Sequence, residues 1–248
     1  MKIDYERLSA IAIDGAARNR KANDTSEVLA FYLQLISNLI YANEKLSESE
    51  MAMIISSINR WVTKKDILSS STYGIGKIVQ IDWGVNYSPE LSYKHPAVIM
   101  EEWKNTVLVI PTTSTESKVL AAYHPVDNPT GKWYYRKVGV QEGFQHDSAL
   151  ILNNAKIMSK SRVTSISGSL TGNLSDEHNV FREVRNTMMK NFFQKEYISF
   201  ENVKKKYSIL CDEHEELKKK YEKAIAENKV LSERNTKLEA DIKRAENI

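Results

Sequence analysis

A repeat of seven residues near the carboxyl end of the chain constrains its fold more than any other feature. One core position of the repeat is mostly Leu or Ala, and the second holds Tyr, His, Asn or Ile. The first set is Val203, Leu210, Leu217, Ala224, Leu231, Leu238 and Ala245, and the second is Tyr207, His214, Tyr221, Asn228, Asn235 and Ile242. This spacing, kept over about six heptads, predicts a coiled coil.

Two asparagines inside the repeat, Asn228 and Asn235, predict how the helices pair. A core Asn stabilises little and finds a partner only when two helices run parallel and in register, which favours a dimer over higher states. The charge pairs between flanking positions of parallel chains are Glu213 with Lys218 and Arg234 with Glu239, which attract, and Asp241 with Glu246, which repel. We expect a parallel homodimer through residues 203–245. A solvated single helix, or a helix folded back onto the amino-terminal helices, are the alternatives.

The segment from Met1 to Leu68 predicts a helical domain, because it contains no Pro and only one Gly and its apolar residues recur at helical spacing. Asp24 and Thr25 offer an N-cap, and Ser47 with Glu50 is typical of a capping box. The apolar positions are Val28, Phe31, Tyr32, Leu35, Leu39, Ile40, Met51, Ile54, Ile55, Ile58 and Trp61. We expect two or three amphipathic helices in residues 1–70, packed on one another, on the next domain or on a second copy.

Short apolar runs rich in β-forming residues follow a linker at residues 69–72. They are residues 78–83, 97–100, 107–110 and 148–152, and Gly, Pro and Asn separate them. Strands this short and close together favour a small, bent sheet or barrel whose polar loops gather on one side. The chain is therefore predicted to be an α+β protein.

Three stretches of this region, in the same order, resemble the motifs of the MazF/PemK toxins. They are YGIGKIVQIDWG from Tyr73, VLVIPTTST from Val107, and GFQHDSALILNNAKIMSKSRV from Gly143. The resemblance covers residues of about 73–195 and implies an SH3-like barrel with a closing helix in residues 71–195. We expect that helix to begin at Ser175 and run through Phe193, and the coiled coil to occupy residues 196–248.

The resemblance also assigns site residues. Glu90 falls on the loop Glu of the family, and His95 stands at the position of its catalytic Arg, before Pro96. Thr113 matches the active-site Thr, and we expect His95 and Thr113 to be catalytic. The expected substrate-binding residues are Glu90, Lys94, Ser114, Asn153, where PemK-type members carry an Asp, and Lys156, which replaces an Arg of the family.

The implied activity is sequence-specific cleavage of single-stranded mRNA, in which the RNA 2′-hydroxyl attacks the adjacent phosphate to leave a 2′,3′-cyclic phosphate and a 5′-hydroxyl. An antitoxin protein, or the additional domains of the chain itself, would control it. The alternative is an inactive module that keeps the barrel to bind RNA or protein and assembles through the coiled coil. The residues alone leave ordinary explanations open, since His before Pro is a common loop residue and Thr-Thr-Ser commonly forms a turn.

Composition sets weaker limits. The net charge of +3 permits phosphate binding without requiring it. His124, His146, His178 and His214 are scattered without metal-ligand spacing, so we expect metal-independent chemistry and no cofactor. The single Cys, the lack of a signal-peptide pattern and the absence of an apolar run of ~18 residues predict a cytoplasmic chain with no membrane partner. A zipper-type DNA-binding protein ranks below the other two interpretations, because no basic run precedes the heptads.

Overall fold

The structure, a computed structural model, describes residues 3–246, with side chains described for residues 3–238 and 242. The chain divides into two compact units, the first ending at Leu174 and the second beginning at Ser175. As predicted, it is a mixed α+β protein, with helices, an eight-stranded and mostly antiparallel sheet, and a long carboxyl-terminal helix.

Three helices begin the first unit: α1 (Tyr5–Ile13), α2 (Ser26–Ala42) and α3 (Glu48–Lys64). The predicted capping box is confirmed, because the Ser47 hydroxyl accepts from the backbone N–H of Glu50 while the Glu50 carboxylate accepts from that of Ser47. Thr25 occupies the N-cap position of α2, but its side chain makes no capping bond. The Ser47–Glu50 capping box limits fraying at the amino-terminal end of α3, the helix whose later residues contact the sheet.

The helices differ in how much of their apolar surface they bury. Within the described bounds of α1 and α2 no residue is buried, whereas α3 buries Ile54 and Ser57. The Arg7 guanidinium pairs with the Glu27 carboxylate (Nε to Oε1, 2.7 Å) and so joins α1 to the first turn of α2. The apolar faces were expected to pack on one another, on the next domain or on a second copy. In the single chain α3 packs on the sheet, and most of α2 stays exposed.

Eight strands and one short helix complete the first unit. They are β1 (Lys77–Asp82), β2 (Lys94–Glu102), β3 (Thr106–Thr113), α4 (Glu116–Ala121), β4 (Ala122–Tyr123), β5 (Lys132–Val138), β6 (Ser148–Ile151), β7 (Lys156–Ser159) and β8 (Val163–Ser169). The strand order is β4-β5-β6-β3-β2-β1-β8, and β7 also pairs with β3. Only the β4 and β5 pair is parallel. The four predicted apolar runs lie in β1, β2, β3 and β6, so those strands are confirmed.

One cluster of the hydrophobic core lies on one face of β1, β2, β3 and β7. Its buried members are Val79, Ile81, Trp83, Ala97, Ile99, Val107, Val109 and Met158, and Tyr73, Leu91 and Val163 pack against them. Residues two apart share a face of a strand, which explains why the odd-numbered positions of the first three strands supply this cluster. The cluster fixes the ends of these strands, where the candidate site lies.

A buried ion pair ties the linker to the sheet. The Lys160 ammonium lies 2.6 Å from the Glu102 carboxylate, and both side chains are nearly inaccessible. Lys160 also donates to the Ser71 carbonyl, and Glu102 accepts from the backbone N–H groups of Tyr73 and Gly74. Burial raises the pKa of Glu102, but these hydrogen bonds and the Lys160 charge outweigh it and leave that pKa below its usual value. The carboxylate thus stays charged at neutral pH.

We expect Lys160→Met to lower the free energy of unfolding by about 3–5 kcal/mol, because it leaves the Glu102 charge buried without its partner. Glu102→Gln in the same chain should recover part of the loss, since an amide oxygen still accepts from Tyr73 and Gly74. Urea unfolding measures both effects, and Lys104→Met, at an exposed lysine nearby, is the matched control. A Lys160→Met protein as stable as this control would contradict the assignment.

The second unit contains α5 (Val180–Phe192) and α6 (Gln194–Glu246). The prediction that α5 starts at Ser175 is wrong. The Asp176 carboxylate accepts from the backbone N–H of His178 and so closes a turn, and the Asn179 side chain accepts from that of Phe181 at 2.9 Å. Asn179 is therefore the N-cap, and the helix begins one residue later.

The helix α6 is 53 residues long and contains the heptad repeat of residues 203–245. Its large apolar side chains at the repeat's core positions are exposed, from 52% for Leu238 to 68% for Tyr207. The helix is confirmed, and its pairing stays a prediction. The expected pairs that involve Glu239, Asp241 and Glu246, and the repeat position Ala245, lie outside the described side chains. Among the described residues, no helix has the length and apolarity to cross a membrane.

We expect Leu217→Lys to turn the dimer into a monomer, because it places a charge at a core position of the repeat. The matched control is Ile225→Lys, at an exposed apolar residue of α6 that lies outside both core positions. Sedimentation equilibrium gives the mass of each protein. A wild-type monomer at micromolar concentration, or equal behaviour of the two variants, would rule out pairing through this repeat.

Candidate functional site

The loop between β1 and β2 is held in shape by its own hydrogen bonds. The backbone N–H of Trp83 donates to the Tyr93 carbonyl at 2.8 Å, which closes the loop at its base. Inside the loop, the Asn86 side chain donates to the carbonyls of Trp83 and Leu91 at 2.9 and 2.7 Å. Glu90 donates its backbone N–H to the Tyr87 carbonyl. These bonds fix the position of Glu90 relative to the sheet.

Three of the predicted substrate-binding residues line one pocket of about 200 Å³. Glu90 comes from the β1–β2 loop, Asn153 from the turn after β6, and Lys156 from the start of β7. The other lining residues are Trp83, Asn86, Leu91, Asn154 and Ala155. The pocket therefore combines one carboxylate, one ammonium and three amide side chains, which are groups that hydrogen-bond to phosphates and to the edges of unpaired bases.

The far wall of this pocket is positioned by a short turn. Leu152 is buried and anchors the one-turn helix at residues 152–154, while Asn153 beside it is exposed. Lys156 then pairs with Val109 of β3, a member of the core cluster. Buried Leu152 thus fixes the backbone next to Asn153, and buried Val109 fixes it opposite Lys156. Both polar side chains are exposed.

His95 and Thr113 lie at adjacent ends of β2 and β3. The register pairs Ala97 with Pro111, and continued by two residues it brings His95 opposite Thr113. The Thr112 hydroxyl donates to the Pro96 carbonyl at 3.3 Å, so the strands are still in contact at this end. The two predicted catalytic residues therefore lie at neighbouring strand ends.

These neighbours share a sheet face with the residues at the base of the pocket. His95 is two residues from Ala97, which belongs to the core cluster. The same cluster contains Trp83 and contacts Leu91, and both of these line the pocket. The pocket and the two strand ends thus lie on the same face of the sheet.

The environment of His95 favours its neutral form. Burial lowers the pKa of the half-buried imidazole, a hydrogen bond with the Ser92 backbone opposes this effect, and the positive charge of Lys118 lowers the pKa further. A neutral imidazole accepts a proton, as a general base must. Lys118, on α4, was missed by the sequence analysis, and nothing in its local sequence distinguishes it from other exposed lysines.

The Thr113 hydroxyl takes part in a local turn. It accepts from the backbone N–H of Thr115 at 3.2 Å and lies 2.9 Å from the Thr115 hydroxyl. When Thr115 donates in the second contact, the Thr113 proton remains available to a phosphate oxygen. Ser114 follows at an exposed position. The turn that the residues alone allowed is therefore present, and it leaves one donor for a ligand.

Lys94 lies apart from the other predicted residues. It lines a different pocket of about 310 Å³ beside α3, together with Ser57, Arg60 and Asp82. Because successive residues of a strand point to opposite faces, Lys94 and His95 cannot serve the same pocket. The structure brings together Glu90, Asn153 and Lys156, places His95, Thr113 and Ser114 at neighbouring strand ends, and leaves Lys94 on the other side.

Two aromatic residues of the β1–β2 loop differ in exposure, because Trp83 is buried at 4% exposure and Tyr87 is 88% exposed. Trp83 therefore packs in the core and also lines the pocket. Its indole N–H has no hydrogen-bond partner among the described residues. Asn86, which braces the loop, was not identified as a pocket residue from sequence.

Comparison with models of known protein families and with curated protein sequences gives no match. No group of three or more His, Cys, Asp or Glu side chains is arranged to hold a metal within the part of the chain that the structure describes.

We expect protein stability to fall as the pH is lowered from about 7.5 to 5.5, in part because of His95. Its pKa in the folded state lies below the unfolded value of about 6.5. The unfolded chain therefore binds more protons in this range, and acid favours unfolding.

Urea unfolding at the two pH values measures this difference. His95→Gln should reduce it, while His146→Gln, at an exposed histidine, should retain all of it. Equal pH dependence in all three proteins would show that His95 does not have the lowered pKa.

Proposed function

We propose that the protein is a toxin-like, sequence-specific and metal-independent endoribonuclease that cuts single-stranded mRNA. The observation that carries the proposal is the pocket that gathers Glu90, Asn153 and Lys156 on the same sheet face as His95 and Thr113. The proposal interprets the sheet as the SH3-like barrel of the MazF/PemK toxins. An antitoxin protein, or the amino-terminal and carboxyl-terminal segments of the chain, would restrain the activity.

The geometry suggests a division of tasks. Neutral His95 accepts the proton of the RNA 2′-hydroxyl as the 2′-oxygen forms its bond to phosphorus. The Lys156 ammonium donates a proton to the 5′-oxygen as its bond to phosphorus breaks. Thr113, with the nearby positive charge of Lys118, stabilises the charge that builds on the phosphate oxygens. The products are a 2′,3′-cyclic phosphate and a 5′-hydroxyl, so protons and bonds balance without water or a metal.

Binding residues surround this centre. Glu90 and Asn153 accept or donate hydrogen bonds at base edges, and exposed Ser114 contacts phosphate. The fixed β1–β2 loop holds Glu90 in place before RNA binds, which lowers the entropy lost on binding. Lys94, on the other face, has no role in this scheme.

A second candidate function is RNA or protein binding without cleavage. It is favoured by the bonded state of the Thr113 hydroxyl and by His95, whose lowered pKa removes the permanent charge that an Arg would supply. The coiled coil would then assemble the binding modules. Cleavage separates the two candidates.

We expect purified protein to cut mixed-sequence RNA at one short motif in the presence of EDTA. His95→Gln should slow cleavage about 10²–10⁴-fold, because it removes the proton acceptor. The matched control is Lys104→Ala, at an exposed lysine of the β2–β3 turn that lines neither the Glu90 pocket nor the Lys94 pocket, and it should cut like the wild type. Sequencing of the ends and detection of cyclic phosphate measure the outcome, and substrates with 2′-deoxy sugars should stay intact.

Intact RNA in the presence of folded protein would contradict the nuclease proposal and leave the binding module. Equal activity of His95→Gln and wild type would remove His95 from the mechanism. Cleavage that EDTA abolishes would show that the chemistry depends on a metal.

A further inference from the structure

A second pocket, of about 390 Å³, lies between α3 and the β1–β2 loop. Residues of α3 form one wall, and Trp83, Gly84 and Arg162 lie on the other. The helix α3 lies outside the part of the chain that resembles the toxins. The volume of the pocket falls in the range of small-molecule sites, about 300–1,000 Å³.

Hydrogen bonds to Asp82 build the junction. Its buried carboxylate accepts from the Ser57 hydroxyl at 2.8 Å and from the backbone N–H of Gly84 at 3.0 Å, and it pairs with Arg60 at 3.5 Å. The Asp82 carbonyl accepts from Arg162 at 3.0 Å. The one carboxylate of the pocket is therefore already neutralised by Arg60.

Two positive charges in the pocket have no acidic partner. Arg162 donates to a carbonyl rather than a carboxylate, and among the described residues neither Arg162 nor Lys64 forms an ion pair within 4.0 Å. A Cβ at Gly84 would lie 3.3 Å from Arg162, so this glycine leaves room for the guanidinium beside the loop. The pocket thus offers two cations to an anion.

Aromatic and apolar groups stand beside these charges. Trp61 of α3 is 59% exposed and presents its indole to the pocket, and Trp83 carries the buried N–H that has no acceptor. An exposed indole near unpaired cations is the combination that binds a base by stacking and its phosphate by charge.

We propose that this pocket binds a nucleotide of single-stranded RNA next to the segment held in the Glu90 pocket, with its base on Trp61 and its phosphate at Lys64 and Arg162. The two pockets share Trp83 and Asn86 as lining residues, so one strand passes from the first into the second. The amino-terminal helices then contribute to RNA binding. This inference rests on the proposed function, since it takes RNA as the ligand.

The test is binding of a short, fluorescently labelled, random-sequence 2′-O-methyl RNA, which cannot be cut. We expect Trp61→Ala with Lys64→Ala in the full chain to weaken binding at least about tenfold. The matched control is Trp103→Ala with Lys104→Ala, which removes an exposed Trp and an adjacent exposed Lys from the β2–β3 turn. It should bind like the wild type. Thermal unfolding confirms that both variants fold.

Salt dependence supplies a second readout that a loss of packing would not change. Lys64→Ala alone should lower the slope of log Kd against log salt by about 0.7, the value expected for one contact to a single-stranded phosphate. Equal slopes for Lys64→Ala and Lys104→Ala would overturn the phosphate contact.

The outcomes separate this inference from the proposed nuclease. If the double variant at Trp61 and Lys64 binds like the wild type while the wild type cleaves RNA, the pocket inference fails and the nuclease stands. If binding is lost in that variant and no RNA is ever cut, the pocket stands and cleavage fails. If the wild type does not bind RNA, both fail.

Discussion

The buried carboxylate of Asp82 is the interaction on which the candidate site depends. Burial of a charged group costs free energy unless hydrogen bonds and an opposite charge compensate it. Ser57 and Arg60 of α3 and the backbone of Gly84 supply this compensation, and the Asp82 carbonyl receives Arg162. One residue at the end of β1 therefore orients a helix, a loop and a turn at once. The loop also lines the Glu90 pocket through Trp83 and Asn86, so the contacts of Asp82 bear on both pockets through this one loop.

A second buried charge network, the pair of Lys160 and Glu102, holds the linker between α3 and β1. Lys160 and Glu102 hold the chain at Ser71, Tyr73 and Gly74, shortly after α3 ends. With Asp82, this pair fastens α3 and the following linker to the sheet at two places. The helix α3 is thus attached through polar contacts as well as through its buried Ile54. The α2 surface that stays exposed is free for the control functions proposed for this segment.

Sequence alone predicted the elements whose pattern is long or strongly apolar. The heptads run over many turns, and β1, β2, β3 and β6 contain compact apolar runs. In contrast, β5 begins with exposed residues and β8 is mostly exposed, so neither has a continuous apolar signal. The helix α5 starts late because Asn179 outcompetes Ser175 as its cap. Asn153 and Lys156 come from one motif, so the sequence could place them together in one site. Lys118 and Trp61 reach their sites only through tertiary contacts, which no local sequence pattern predicts. Lys94 could not be assigned to a face without knowing the strand register.

If two copies pair through the exposed heptad face of α6 as predicted, the lifetime of the protein would depend on its copy number. An isolated helix in water gains little from local propensity and much from a packed partner. If two copies pair through this face, association stabilises the helix by mass action, and dilution withdraws that support. At low abundance α6 opens and presents cleavable backbone to proteases, while at high abundance it is protected. The rate of synthesis would then set both the amount of protein and its rate of degradation. Small differences in expression would become larger differences in the steady-state concentration of the protein.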